Sequence, residues 1–454
     1  MTEATAIGTL ARHLVSATRS DIPDDVYERA KDCVVDVMGA AAAGVNASTA
    51  RATNAGLTGL IGPGRSSVWF SDARGGTAAA AAVNAMAATA LDVDDGHRKA
   101  AGHPGAAVVS AAIAAAEGCN ASVEEFLCAV VLGYEASIAA ALARLPEHHG
   151  STVSGRWSGV GAAVAAARLR GVTSDVMANA ILVAEQHAPR LASAQLHGFA
   201  GSDVKEGISW SVLTGVAAAG LAAHGFKGYP GTFEDMLYDA ERLVGDLGKF
   251  QAIGGLFFKP YACCRWIHAA MDCLHGIVQS RHLKLEDISR IEVRTFRNAV
   301  RLANSVEPKS GLEAQFSIPF CLGAMAVRGP EAFCPLDRDL LSDSRITEVA
   351  RRVRISEDPD IERLFPACAA AIVRVELSDA RSFERRADAP LGDPTNPMDR
   401  VQLVRKFKRL IAEVAGSCDV LGFPEALFSS PPESRLSGLT SMIRCAQPSG
   451  ARLH

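Results

Sequence analysis

Runs of alanine with scattered valine and glycine constrain this chain more than any other feature. Residues 77–90 are mostly Ala with Val83 and Met86, a composition of very high intrinsic helix preference. Similar small-residue segments predict further helices at about 26–43, 104–117, 123–145, 157–169, 174–188 and 205–223. In the first of these Ala30, Cys33, Val34 and Val37 share one face at helical spacing. From residue 3 to about 268 no convincing strand-like alternation occurs, apart from a short candidate at Ser67-Val68-Trp69-Phe70. Only 6% of the 454 residues are aromatic and 40 are glycine, which suits helices packed through small side chains better than a β-sandwich. The length predicts two or three domains.

The pattern then changes. Arg290-Ile291-Glu292-Val293-Arg294-Thr295-Phe296 alternates with the period of a half-buried strand. Residues 371–377 do the same, and 382–387 form a candidate hairpin partner. Helical stretches at about 314–327 and 344–352 lie between them. A turn-rich exit at 390–397 returns the chain to helix at about 400–415. The expected fold is therefore mainly α: a large all-helical domain built from both chain ends (1–268 and 396–454), plus a smaller α+β lid (269–395). The tail from Ser429 onward reads as loosely ordered.

Formal net charge is -4 with acids and bases interspersed, which gives no footprint for nucleic acid. The uncharged stretch 207–226 has the length of a membrane span. It contains Ser209, Ser211, Thr214 and His224 and has Lys205, Glu206 and Lys227 as flanks, so it reads as a buried helix and turn. Eleven scattered cysteines, with no secretory signal at the N-terminus, predict reduced thiols in a cytoplasmic protein.

The chemistry concentrates in Asp92-Val93-Asp94-Asp95-Gly96-His97 and His103-Pro104-Gly105, a charged loop between two alanine-rich helices. Loops held by rigid elements often carry catalytic groups, although a solvated acidic turn has the same spacing. His97 and His103 permit a metal ligand pair, but HExxH and paired CxxC motifs are absent, so no metal is expected. The glycines at 62, 64, 75 and 76 complete neither a P-loop nor a dinucleotide fingerprint, and GxSxG is absent. Cationic groups follow later. Lys205 precedes an apolar helix, and Lys259, Tyr261, Arg265 and His268 fall close together at the expected domain junction. Such groups suit an anion in a cleft, though each also reads as an ordinary solvated charge.

Taken together, these motifs resemble the MmgE/PrpD family. The likeness rests on Asp92-Val93-Asp94-Asp95 with His103-Pro104-Gly105, on Leu132-Gly133-Tyr134-Glu135, and on Gly161-Ala162-Ala163 through Leu169-Arg170-Gly171. It continues through Lys205, Lys259-Pro260-Tyr261, Cys264-Arg265 with His268, Glu313-Ala314-Gln315-Phe316-Ser317, Asn396-Pro397-Met398 and Lys406-Phe407. The resemblance implies a homodimer, cofactor-free chemistry, a small di- or tricarboxylate substrate, and active-site roles for Asp92, His103, Lys205 and Lys259. One departure stands out: many members carry a His where Thr152 aligns, and His148 or His149 lies just upstream. His97, Thr152, His149, Cys264, Arg265 and His268 complete the expected substrate-binding set.

Proton abstraction next to a carboxylate creates an enolate-like dianion, so cations must stabilise it. Lys205 and Lys259, with Arg265, fit that task. His103 is the expected base, with Asp92 behind it fixing the tautomer. Loss of β-hydroxide after that abstraction makes a 2-methylcitrate dehydratase-like lyase and reprotonation an iminodisuccinate-type epimerase, while loss of carbon dioxide with protonation of the carbon left behind makes a cis-aconitate-type decarboxylase. The dehydratase is the first expectation. A non-catalytic carboxylate-binding dimeric scaffold is the alternative of another class.

Overall fold

The structure, a computed structural model, describes residues 5–145, 153–190, 204, 206–416 and 419–444. It is mainly α. The alanine-rich segments form the helices Asp24–Gly44, Thr77–Thr89, Gly105–Cys119, Val123–Ala143, Ser158–Leu169, Ser174–Gln186 and Ile208–Ala223. Small side chains bring their axes close. A Cβ added at Gly161 would lie 2.7 Å from the Gly133 carbonyl, so this crossing admits glycine and little else. Ser122 starts Val123–Ala143 with a capping box, in which its side chain accepts from the Glu125 N–H and Glu125 accepts from the Ser122 N–H.

The C-terminal segment returns to this body. Helix Arg400–Leu410 packs on Asp24–Gly44, and Lys406 Nζ donates to Asp36 Oδ1 at 2.6 Å with both side chains buried. Residues 429–444, expected to be loosely ordered, are folded instead. The Val123 N–H donates to the Ser434 carbonyl and the Leu436 N–H to that of Ala121. Leu436, Leu439 and Ile443, spaced for one helix face, are buried, and Leu436–Ser441 is helical.

The strand-bearing segment carries one four-stranded sheet in the order Val353–Glu357, Ile288–Thr295, Ala371–Leu377, Ser382–Ala387. The first pair is parallel, with Ile291 opposite Val353. The others are antiparallel, with Val293 opposite Val373 and Val375 opposite Phe383. Ile291 and Val293 point inward with Val373 and Val375, as their alternation requires. Helix Arg265–Arg281 covers the sheet. Most buried apolar side chains fall into two clusters. The larger draws on residues 7–258 and 398–443, the other on residues 261–377.

Several expectations are corrected. Strand Val353–Glu357 carries Arg354 and Glu357 and too few apolar positions to show a period. The helix expected at 314–327 is two, Gly311–Gln315 and Ile318–Arg328, because Ser317 breaks out to cap the second by accepting from the Phe320 N–H. Helices Ala6–Ser16 and Ser48–Ile61 add to the body. The helical part also holds two-residue strands, including Gly96–His97 against Leu256–Phe257. The uncharged stretch at 207–226 yields a helix of only 16 residues, Ile208–Ala223. Among the described residues one single helix, Val123–Ala143, is long and apolar enough to cross a membrane, and 78% of its apolar window is buried inside the protein. The nine described cysteines are free thiols.

Candidate active site

The charged loop is held from below. After helix Thr77–Thr89 ends, Asp92 takes a left-handed backbone (φ 56°), a conformation that Asp tolerates better than most residues. Lys406 Nζ donates to the Val93 carbonyl at 2.7 Å, so the Asp36–Lys406 pair pins the loop between Asp92 and Asp94. Asp95 accepts from the Tyr134 hydroxyl at 2.5 Å and from the Gly105 N–H at 3.0 Å. Burial, with nearby Asp36, pushes its carboxyl up to about 7. Asp95 is therefore a brace beneath the site. Gly96 pairs with Phe257, and a Cβ there would lie 2.4 Å from the Phe257 ring, so glycine lets the loop dock on the segment that leads to Lys259.

His103 sits at the centre, buried. Its backbone N–H donates to Ser154 Oγ at 2.9 Å. Its Nδ1 lies 3.2 Å from Asp94 Oδ2, and its Nε2 lies 3.5 Å from both Asp92 Oδ1 and Glu206 Oε1. Lys259 is also buried, and its Nζ donates to the Asp92 carbonyl at 3.0 Å and lies 3.3 Å from Asp92 Oδ2. An ammonium has three donors, so one remains for a ligand beside these two contacts. Burial and the Lys259 ammonium pull the imidazole down, Asp94 and Glu206 push it up, and the outcome is upward from 6.5. A base at this position works only when deprotonated, so if His103 is the base kcat/KM should rise with pH through a midpoint above 6.5. An Asp94→Asn variant, lacking one upward push, should move that acid limb to lower pH, and a pH–rate profile reads both. The sign for stability is opposite. A raised imidazole stabilises the fold below the unfolded-chain value, and this contribution is lost as pH climbs through the folded one.

A cavity of about 80 Å³ opens on His103 and is lined by Asp92, His97, Arg98, Glu206, Lys259 and Cys264, with Phe316, Phe365 and Pro366 from the strand-bearing part. Small-molecule sites usually enclose at least about 300 Å³, so this cavity is smaller than a usual ligand site. A second cavity of about 340 Å³ shares His97 and Arg98 with the first.

The structure redistributes the expected roles. Asp94, rather than Asp92, faces Nδ1 and is placed to fix the tautomer of His103. Asp92 lies on the Nε2 side and is the partner of Lys259. His268 does not line the cavity: fully buried, it contacts the Cys263 carbonyl through Nε2 (3.1 Å) and Arg265 through Nδ1 (3.2 Å). Burial and the adjacent Arg265 and Lys259 hold it well below its usual range, so it is neutral and props Arg265. Arg265 lines the cavity, but its terminal nitrogens also donate to the Leu391 and Pro390 carbonyls and approach Asp393, which Arg98 contacts as well. Only its Nε is without a hydrogen-bond partner among the described residues. His97 accepts from the Ala100 N–H at 3.1 Å, and burial, with Lys99 and Arg98, lowers it to about 4, which makes it a neutral wall. Burial pushes the Cys264 thiol up to about 12, so it lines the cavity as a thiol, not a thiolate. Lys205, Thr152, His148 and His149 lie outside the described residues.

Sequence reasoning missed Glu206 and Ser154. Ser154 accepts the His103 N–H, and both its hydroxyl and its backbone N–H donate to Glu206 Oε2. The adjacent charges Lys205-Glu206 ahead of an apolar helix were the available signal. Asp92, His103 and Glu206 turn three ligating atoms to within 4.8 Å of one another, which is the place for a cation. Lys259 Nζ already supplies one against Asp92, so the geometry favours an ammonium-based site over a metal centre.

A helical body that carries a buried His–carboxylate–lysine cluster beside a strand-bearing segment defines the class: a protein with an enclosed acid–base site. The MmgE/PrpD N-terminal domain model matches residues 8–237 and the MmgE/PrpD C-terminal domain model matches residues 261–421. The chain belongs to the MmgE/PrpD family. It is 25% identical to a cis-aconitate decarboxylase of Aspergillus terreus over 468 residues, covering 94% of this chain and 93% of that protein. It is 23% identical to a cis-aconitate decarboxylase-like protein of Aspergillus oryzae over 480 residues, covering 97% and 98%.

Proposed function

We propose that this protein is a cofactor-independent lyase that removes the proton alpha to a carboxylate of a small di- or tricarboxylate. One observation carries the reading: His103 has Asp94 behind Nδ1 and turns Nε2 into an enclosed cavity beside the Lys259 ammonium. Neutral His103, with Nδ1–H directed at Asp94, takes the proton at Nε2. The electron pair left on carbon delocalises into the carboxylate, where the free donor of Lys259 meets the growing charge. Lys205 is assigned to the same task by its place in the family motif.

The imidazolium formed in this step is itself a proton donor. Delivering its proton to a β-hydroxyl, as the C–O bond breaks, releases water and leaves an alkene, a hydro-lyase reaction of the 2-methylcitrate dehydratase kind. Decarboxylation is the second reading, favoured by the names of the two relatives; epimerisation shares the first step. The cavity's small volume and its Phe316, Phe365 and Pro366 wall support an α+β lid (269–395) that opens over a helical domain (1–268 and 396–454). A cytoplasmic homodimer completes the proposal.

Incubation in heavy water with citrate, 2-methylcitrate, iminodisuccinate and cis-aconitate tests it. Deuterium is expected at the alpha carbon of recovered substrate or in the product of at least one. A complete lack of incorporation across the panel would favour a binding scaffold.

A further inference from the structure

Two carboxylates flank Nε2 of His103 at the same 3.5 Å, and they are not equivalent. Asp92 is paired with the Lys259 ammonium, which contacts both its carbonyl and its side chain. Glu206 has no such cation among the described residues. Its Oε2 is taken by Ser154, through both the hydroxyl and the backbone N–H, and its own carbonyl accepts from the Gly155 N–H at 2.9 Å. The residue is thus fixed in place and buried, with Oε1 aimed at the point where Nε2 must work. When His103 is protonated, Nε2–H faces Oε1. Once His103 is neutral, with its proton on Nδ1 toward Asp94, that donor is gone. The neutral-imidazole form of the site therefore turns a carboxylate oxygen of Glu206 toward the cavity with no donor from His103.

We propose that Glu206 selects the substrate: Oε1 accepts from a hydroxyl or amino group next to the carbon that loses its proton. This inference rests on the α-proton abstraction proposed above and narrows its substrate class to hydroxy- or amino-bearing polycarboxylates. An unsaturated acid such as cis-aconitate has no such donor. It would displace water from Oε1 and set C–H or a like-charged carboxylate against it, which an acceptor-only carboxylate oxygen disfavours. Sites built around a hydrogen bond to a substrate O–H or N–H reject analogues that lack it far more sharply than apolar pockets reject a missing methylene.

The test compares wild type with Glu206→Gln on citrate, 2-methylcitrate, iminodisuccinate and cis-aconitate. Glutamine retains an oxygen for Ser154, removes the charge and presents an N–H of its own. For wild type, kcat/KM on the best donor-bearing compound should exceed that on cis-aconitate by at least about 10²-fold, a conservative share of the discrimination such sites reach. The variant should narrow that ratio by about tenfold or more, chiefly by losing activity on the donor-bearing substrates. The hydroxy and amino arms identify which donor is used. Wild-type turnover of cis-aconitate equal to the best donor-bearing compound would overturn the proposal. So would an equal loss on every substrate in Glu206→Gln, which is the mark of a purely structural residue. Inactivity on the whole panel would instead sink the lyase reading. Calorimetric binding then decides the selectivity: tighter binding of citrate than of cis-aconitate, lost in Glu206→Gln, upholds it, and equal affinities refute it.

Discussion

Replacing His103 by Ala should abolish measurable exchange of the substrate's alpha proton, with a loss of roughly 10²–10⁴-fold, the usual contribution of a positioned acid–base group. The alanine also leaves the buried Asp94 carboxylate without its imidazole partner, so a fall in stability is expected alongside. His103→Asn separates the two effects. Its amide retains an N–H for Asp94, and it cannot take up a proton near neutral pH. It should match His103→Ala in lost exchange while melting closer to wild type. Exchange in either variant within tenfold of wild type would remove His103 as the base and shift attention to Asp92 and Glu206, the other groups at Nε2.

The largest stability effect is expected at Lys406→Ala. Lys406 and Asp36 are buried together, joined at 2.6 Å. Removing one member of a buried pair leaves an uncompensated charge, at a cost of about 3–5 kcal/mol. The melting temperature should fall by several degrees. Replacing both partners by apolar residues of similar volume (Asp36→Leu with Lys406→Met) should recover most of that loss, because the charge and its desolvation vanish together. Activity should not recover with it. Lys406 also donates to the Val93 carbonyl, between Asp92 and Asp94, and a methionine leaves that loop without its anchor. A double variant with restored melting temperature and full activity would show that the loop needs no such support.

How far these groups can be read from the chain depends on how local their causes are. The helices at 77–89, 105–119 and 123–143 are legible because alanine preference and capping act within a few residues. Strand Val353–Glu357 is not, since it exists by pairing with Ile288–Thr295 far upstream. In the site, the spacing of Asp92 and His103 was visible along one loop. That Asp94 would take Nδ1, leaving Asp92 to Lys259, depends on a left-handed turn at Asp92 and on the side chain of a residue 167 positions away. His268 looked as available as His103 in the sequence, and only burial behind Arg265 removes it from the cavity. Glu206 stood in plain sight as a flank of an apolar helix; nothing local says that it reaches His103.

The sequence by itself therefore determined the helical body, the alternating strands and the loop that carries the acid–base group, because each follows from short-range preference and periodicity. Tertiary structure alone decided which carboxylate serves which nitrogen. It also decided which cation stands beside them and which histidine is sealed away. Those outcomes turn on distances of 3.0 to 3.5 Å between residues that meet only after the helices have packed.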